Sequence, residues 1–340
     1  MSPRFPDSLN RARRAVEAVL DPAGLTLVAC SGGADSLALA VAAAFHHQRT
    51  SGPLAQARVG AVVVDHQLHP DSEAVTTTAL RQLEALGLEP LISLPASVDP
   101  SSGTGPEAAA RTARYRAFEQ ALTQTGASRM LLAHTQDDQA EQVLLGLARG
   151  SGTRTLAGIP AERGPFRRPL LGLSRAETEE ICAHAGLTPW QDPANADPRY
   201  LRSRVRTRIL PFLQAELSGS IRESLARTAQ IAAEDAAYLE QEAKQVFAAL
   251  LEDPGAEGQL RMDLAALHRA PPAIRRRVIA LAVVAAGGSA PSFERLRAVE
   301  NLLVTEGSAG PVELEGHLSA HRGTRESPDY GKLVLVPRLN

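Results

Sequence analysis

Leu25-Thr26-Leu27-Val28-Ala29-Cys30 runs directly into Ser31-Gly32-Gly33-Ala34-Asp35-Ser36, and an alanine- and leucine-rich stretch from Leu37 to Gln48 follows. The first six residues are apolar and β-branched enough to read as a buried strand. The stretch from Leu37 onward reads as a helix. A glycine turn therefore joins a strand to a helix N-terminus, a geometry that turns unpaired N–H groups and the positive end of a helix dipole toward an anion. Gly32 and Gly33 allow a sharp turn and close approach to a phosphate. Ser31 and Ser36 add hydroxyl donors, and Ala34 starts the helix. Asp35 is the departure. A carboxylate beside a phosphate is repulsive unless a cation lies between them, which points to Mg²⁺. The loop has no lysine, so it is not the Gly-x-x-x-x-Gly-Lys-Ser/Thr loop, and it is not the dinucleotide Gly-x-Gly-x-x-Gly. A serine-capped helix after a tight turn shares the pattern, so the rest of the chain has to decide.

Outward from this loop, strands and helices alternate. Ser8–Leu20 reads as an amphipathic helix stopped by Asp21-Pro22, Val59–Asp65 as a second buried strand, Ser72–Leu86 as a helix and Pro90–Leu94 as a third strand. Glu107–Thr123 is helical, Arg129–Ala133 a fourth strand, Gln136–Arg149 a helix, Phe166–Leu171 a short strand, and Ser174–Ala185 a helix with a Ser174/Glu177 capping box. This order argues an α/β fold with a doubly wound parallel sheet, whose right-handed crossovers place the strand C-termini on one edge. After Glu216 the alternation ends. Ile221–Leu250, Ala273–Ala286 and Phe293–Leu303 read as helices, and Val312–Leu318 with Leu333–Pro337 as paired antiparallel strands. The expected organisation is a catalytic domain over 1–217, then a helical linker and a small α+β C-terminal part over 218–340.

Composition narrows the class. The 340 residues carry a net charge of −2, and of 36 basic residues only Lys244 and Lys332 are lysine. Two isolated cysteines, Cys30 and Cys182, build neither a disulfide framework nor a Cys-x-x-Cys pair, which predicts a reducing, cytoplasmic location. No apolar run is long enough for a bilayer, so no membrane partner is expected.

Four groups of residues carry chemistry. His134-Thr135-Gln136-Asp137-Asp138-Gln139-Ala140-Glu141 follows the fourth strand and opens a helix, with Asp137 and Glu141 on one helical face. Helix dipoles favour one carboxylate in a first turn. Three carboxylates and a histidine in eight residues point to a site for Mg²⁺ or a cationic substrate. Arg111 and Arg114 lie one helical turn apart, with Tyr115 beside them, and could clamp phosphates. Asp65 and His66 end the second strand, where they could read an adenine or ribose edge. Finally, Arg199, Arg202, Arg204, Arg206 and Arg208 put five arginines into ten residues of a nearly neutral chain. That density suggests a polyanion footprint, although such runs are usually solvated helix faces.

The glycine loop resembles the pyrophosphate loop of the N-type ATP pyrophosphatases, which cleave ATP between the α and β phosphates. The wider series resembles the tRNA(Ile)-lysidine synthetase family over roughly Leu25–Leu213: Val64-Asp65-His66, Ala110-Arg111-x-x-Arg114-Tyr115, His134-x-x-Asp137-Asp138-x-x-Glu141, Arg149-Gly150-Ser151-Gly152, Arg168-Pro169-Leu170-Leu171, Asp192-Pro193-x-Asn195 and Tyr200-x-Arg202-x-x-Val205-Arg206. Ser203 stands where that family usually has Asn, and the chain resembles its shorter members. The resemblance implies an adenine nucleotide alpha hydrolase-like fold, ATP and Mg²⁺ as cofactors, and tRNA(Ile) with a CAU anticodon and free L-lysine as partners. A homodimer is left open. The implied reaction adenylates C2–O of the wobble cytidine and then joins lysine to C2, releasing AMP. The implied roles are pyrophosphate binding by Ser31–Ser36, catalysis by Asp35, Arg111, Arg114 and His134, and metal binding by Asp35 and Asp138. Asp137 and Glu141 are expected to hold lysine, and Arg199–Arg208 to hold tRNA. The alternative is another member of the superfamily, such as a tRNA cytidine thiolase. Such enzymes usually carry Cys-x-x-Cys. Amide-forming synthetases and a nucleotide sensor without chemistry fit the arginine-rich segment and the acidic group less well.

Overall fold

A computed structural model of the chain describes residues 5–49, 51–65, 72–96, 106–150, 152–193, 197–251, 259–304 and 311–337. Two compact units form, Met1–Ala233 and Glu234–Asn340.

The first unit opens with α1 (Asp7–Glu17), β1 (Leu25–Cys30), α2 (Ala34–His47), β2 (Arg58–Asp65), α3 (Ser72–Ala85) and β3 (Leu91–Pro95). It continues with α4 (Pro106–Thr125), β4 (Arg129–Leu131), α5 (Gln136–Ala148), α6 (Thr153–Leu156), β5 (Glu162–Arg163), β6 (Phe166–Arg167) and α7 (Arg175–His184). The sheet order is β3-β2-β1-β4-β6-β5, parallel throughout except for the β5–β6 hairpin. β1 lies centrally, with Val28 opposite Ala61 on one side and Leu131 on the other. Its side chains alternate between two layers, as strand geometry requires. Leu25 and Leu27 pack with Ala117, Phe118 and Ala121 of α4, while Val28 and Cys30 pack with the Leu37–Ala44 face of α2. The parallel arrangement brings the C-terminal ends of β1, β2 and β4 to one edge of the sheet.

The predicted strand over Phe166–Leu171 is shorter than expected. It stops at Arg167, and Pro169–Gly172 forms a 3₁₀ turn, because Pro169 has no N–H for a ladder and a fixed φ that suits the first turn of a helix. The arginine-rich segment is helical: α8 (Leu201–Arg204), a π-helical turn over Val205–Ile209, and α9 (Leu210–Glu216).

The helix α10 (Ile221–Leu250) carries the division between the units. That division falls beyond the expected 217/218, because the first turns of α10 belong to the first unit: Leu225 packs on the Ala140, Leu145, Val205 and Leu210 cluster. The second unit holds β7 (Leu260–Asp263), α11 (Leu264–Arg269), α12 (Pro272–Ala285), α13 (Phe293–Val304), β8 (Val312–Leu314), β9 (Leu318–Arg322) and β10 (Lys332–Pro337). Its antiparallel sheet has the order β7-β10-β9-β8. The expected strand Val312–Leu318 is two strands, broken at Gly316, whose φ of 86° suits a turn. β10 therefore pairs with β9 and with β7, a strand not anticipated from the sequence. Buried Met262, Ile279, Val283, Leu303 and Leu333 make this unit's own core.

Candidate active site

The glycine loop is built from its own side chains. Gly32 has a φ of 79°, which a side chain rarely adopts, and its carbonyl accepts the Trp190 N–H at 2.9 Å. The Ser36 hydroxyl donates to the Gly33 carbonyl at 2.9 Å and accepts the Ser31 N–H at 3.2 Å. Ser36 thus fixes the loop's shape, and Ser31 lies 3.4 Å from it, hydroxyl to hydroxyl. The Cys30 thiol accepts the Gly32 N–H at 3.5 Å. Among the described residues no side chain caps α2 at Gly33, which leaves its first-turn N–H groups suited to an anion.

The second motif sits at the next strand end along the same edge. Thr135 and Asp138 form a capping box on α5, with the Thr135 N–H donating to Asp138 Oδ2 at 2.8 Å. Asp138 Oδ1 faces three guanidiniums, those of Arg202 (3.1 Å), Arg206 (3.4 Å) and Arg175 (4.0 Å). Burial pushes this carboxyl's pKa up, but Arg202, the Thr135 N–H, His134 and Arg175 together outweigh it and hold it below its ordinary value. Glu141 has no exposed surface. Arg202 Nε reaches its Oε2 at 2.8 Å, and Arg206 reaches Oε1 at 2.5 Å and Oε2 at 3.0 Å. Asp137 accepts the Arg222 guanidinium at 2.9 Å and the Arg175 backbone N–H at 2.8 Å.

The arginine-rich segment consequently divides. Arg202 and Arg206 turn inward to the acidic group, one from α8 and one from the π-helical turn, a distortion frequent at functional sites. Burial lowers the Arg206 pKa, but hydrogen bonding and the charges of Glu141, Asp138 and Asp35 raise it overall. Arg199 pairs with Asp197 in solvent, Arg204 donates to the Pro198 and Arg199 carbonyls, and Arg208 is exposed. Ser203, between them, is buried.

α7 connects the two motifs, and nothing in the sequence beyond its capping box singled it out. The Thr178 hydroxyl donates to Asp35 Oδ1 at 2.6 Å, and the Arg175 guanidinium lies 3.5 Å from Asp35 Oδ2. The Cys182 thiol donates to the Ala34 carbonyl at 3.3 Å. Burial raises the Asp35 pKa; Arg175 and Thr178 oppose it, and Asp138 adds to it. Asp35 and Asp138, in the first turns of two different helices, therefore sense each other's charge across one guanidinium. A Mg²⁺ ion bound mainly by ATP phosphates needs only one or two such carboxylates, so this pair fits it.

His134 lies among cations. Burial pushes its pKa down to about 4, with Arg168, Arg202 and Arg111 acting in the same direction and Asp138 against, so the imidazole is neutral at pH 7. His134 Nδ1 and Arg168 Nε are buried without a hydrogen-bond partner among the described residues. Arg168 is otherwise fixed by the Pro160 carbonyl (2.8 Å) and the Tyr115 hydroxyl (3.3 Å), and Arg111 lies over the Tyr115 ring at 5.1 Å. Arg114 is exposed on the same helix. Asp65 ends β2, its carbonyl accepting the Ala96 N–H at 2.7 Å, and His66 lies outside the described residues. Gln139 holds both the Ile159 N–H (2.7 Å) and the Ile159 carbonyl (2.9 Å), a structural use of a motif residue that the sequence did not reveal.

The family model for the PP-loop domain matches residues 8–213, and the model for the TilS substrate binding domain matches residues 262–324. A tRNA(Ile)-lysidine synthase of Leifsonia xyli subsp. xyli is 46% identical over 87% of this chain and 87% of its own length. One of Streptomyces coelicolor is 42% identical over 93% and 86%, and one of Salinispora arenicola 40% over 97% and 96%. Among solved structures, the U34-tRNA thiolase NcsA from Methanococcus maripaludis superposes with a TM-score of 0.55 at 17% identity, covering 67% of this chain and 79% of that one, which shows the shared PP-loop fold. With a glycine loop, an acidic helix start and paired arginines on one sheet edge, and relatives matched nearly end to end, the chain belongs to the tRNA(Ile)-lysidine synthase family of PP-loop enzymes.

Proposed function

We propose that this chain ligates the ε-amine of free L-lysine to C2 of the wobble cytidine in a tRNA(Ile) bearing CAU, forming a C–N bond at the expense of ATP. One observation carries the reading furthest. Asp35 of the glycine loop and Asp138 of the α5 start, two motifs about a hundred residues apart in the chain, meet on the guanidinium of Arg175. In the first step the cytidine O2 attacks the α-phosphate and pyrophosphate leaves. The Gly33–Asp35 N–H groups at the α2 N-terminus receive the leaving group. Asp35 and Asp138 hold Mg²⁺, which neutralises phosphate charge when bound. Arg111, Arg114 and Arg168 bind the anionic reacting centre, and neutral His134 offers a hydrogen bond there. Asp65 and His66 are assigned to the nucleoside edge.

In the second step the lysine amine attacks C2, AMP leaves, and one proton is lost from the amine. Of the two carboxylates expected to hold lysine, Asp137 suits that role better, since among the described residues one side chain, Arg222, competes for it. Glu141, with both oxygens taken by arginines, serves to position Arg202 and Arg206. Arg199, Arg204 and Arg208 face tRNA phosphates. Thiolation is the less supported reading: burial raises the pKa of both thiols, Cys182 to about 12, which opposes thiolate chemistry. The test is incubation with ATP, Mg²⁺, radiolabelled lysine and the CAU transcript. Label in tRNA with one pyrophosphate per lysine is expected; tRNA-dependent pyrophosphate release without lysine incorporation would refute the reading.

A further inference from the structure

We propose that Arg175 is the resident counter-cation of the Asp35–Asp138 pair and that it exchanges with Mg²⁺ there, so that the metal enters with the nucleotide and not ahead of it. This rests on the reading that these two carboxylates hold the metal. The backbone of Arg175 is fixed: Ser174 caps α7 with Glu177, the Arg175 N–H is held by Asp137 at 2.8 Å, and Thr178 one turn on holds Asp35 at 2.6 Å. The guanidinium is held loosely by comparison. It sits 3.5 Å from Asp35 and 4.0 Å from Asp138, against 2.8 Å for Arg202 on Glu141 and 2.9 Å for Arg222 on Asp137. Arg202 and Arg206 also face Asp138, but Glu141 anchors both. Among the described residues Arg175 has no anchoring carboxylate of that kind.

The electrostatics favour a cation at this place. The half-buried Asp35 carboxylate in the first turn of α2 and the buried Asp138 carboxylate in the first turn of α5 repel each other, and Arg175 lies against both. A divalent ion offers more charge to the same oxygens, so the two cations compete. An arginine on a flexible stem can give way by turning its planar fork to a phosphate, which it matches in two hydrogen bonds. Free Mg²⁺ brings no such acceptor, whereas Mg²⁺ with ATP does. Arg175 is thus a positioning residue that couples metal entry to triphosphate binding.

The experiment measures Mn²⁺ binding to the full chain by electron paramagnetic resonance, without nucleotide and then with ATP. Arg175→Gln is expected to bind Mn²⁺ alone about tenfold more tightly than wild type, the size of effect one nearby unit charge produces at a partly hydrated site. Arg175→Met, which keeps the stem and drops the charge, gives the same shift and stands in if the first variant does not fold. Arg175→Lys stays within about twofold of wild type. Adding Asp35→Asn to Arg175→Gln cancels the gain. In a second readout, Mg²⁺ without nucleotide raises the melting temperature of Arg175→Gln more than that of wild type. Equal or weaker Mn²⁺ binding by both neutral variants would overturn the inference, while a loss of Mn²⁺·ATP binding in Asp35→Asn alone would leave the metal reading standing. Unchanged Mn²⁺·ATP binding in Asp35→Asn would overturn both.

Discussion

Replacing Glu141 by Gln tests whether the acidic helix start is a ligand pocket or an arginine anchor. The carboxylate is wholly buried and accepts three hydrogen bonds from two guanidiniums, at 2.8, 2.5 and 3.0 Å. Gln has the same shape, but its amide NH₂ would face guanidinium N–H groups, donor against donor. Two half-buried cations would lose their main counter-charge. Removing one partner of a buried pair costs about 3–5 kcal/mol. Asp138, at 3.1 Å from Arg202 and 3.4 Å from Arg206, retains part of the compensation, so the lower end, about 3 kcal/mol, is expected. For a unit the size of Met1–Ala233, each kcal/mol moves the melting temperature by about 2–4 °C, which predicts a fall of roughly 6–12 °C. Differential scanning calorimetry measures it. A double-mutant cycle with Arg206→Met should show a coupling above about 1 kcal/mol. Steady-state kinetics on the surviving enzyme should show kcat falling with lysine KM little changed. A melting temperature within about 1 °C of wild type, with only lysine KM raised, would refute the anchor and return Glu141 to the lysine site.

Asp35→Asn keeps the Thr178 hydrogen bond and removes the charge; tRNA-dependent pyrophosphate release should disappear while far-ultraviolet circular dichroism stays native, and retained release at the wild-type rate would rule out the metal role. Arg199→Ala or Arg208→Ala should each lower the salt slope of tRNA binding by somewhat under one unit without changing melting, whereas Arg202→Ala and Arg206→Ala should lower the melting temperature first; the reverse pattern would put the inward pair on tRNA. His134 binds its proton near pH 4 in the fold against an ordinary value of 6.5, so the unfolded chain binds more protons between these values. Its contribution to stability is present above pH 6.5 and is lost as pH falls toward 4, about 2 kcal/mol by pH 5. Urea titrations at pH 7 and pH 5 on wild type and His134→Gln check this: the variant should lose that much less, and equal losses would mean His134 is solvated.

The strand–glycine–helix element, the alternation after it and the break near Glu216 were legible because they depend on local chemistry. A β-branched apolar run, a Gly32 that must adopt positive φ, and a capping box such as Ser174/Glu177 act within a few residues, where sequence and conformation are directly linked. The shared edge of the parallel sheet follows from crossover handedness, which by itself places the Ser31–Ser36 loop and the His134–Glu141 group together. Strand pairing in the second unit was less legible, since β7 is four residues long and its partner β10 lies some seventy residues away.

Tertiary structure decided which charge meets which. The sequence shows five arginines between Arg199 and Arg208, but their division depends on the π-helical turn at Val205–Ile209 and on how α8 and α9 pack against α5. Nor could local signals show that Glu141 is anchored and Asp137 shared, or that Arg175 and Thr178 on α7 hold the Asp35 carboxylate some 140 residues earlier. Propensities, caps and periodicity are short-range and leave their mark on the chain. Ion pairs are long-range and interchangeable among like residues, so any arginine could have met any carboxylate until packing fixed the distances.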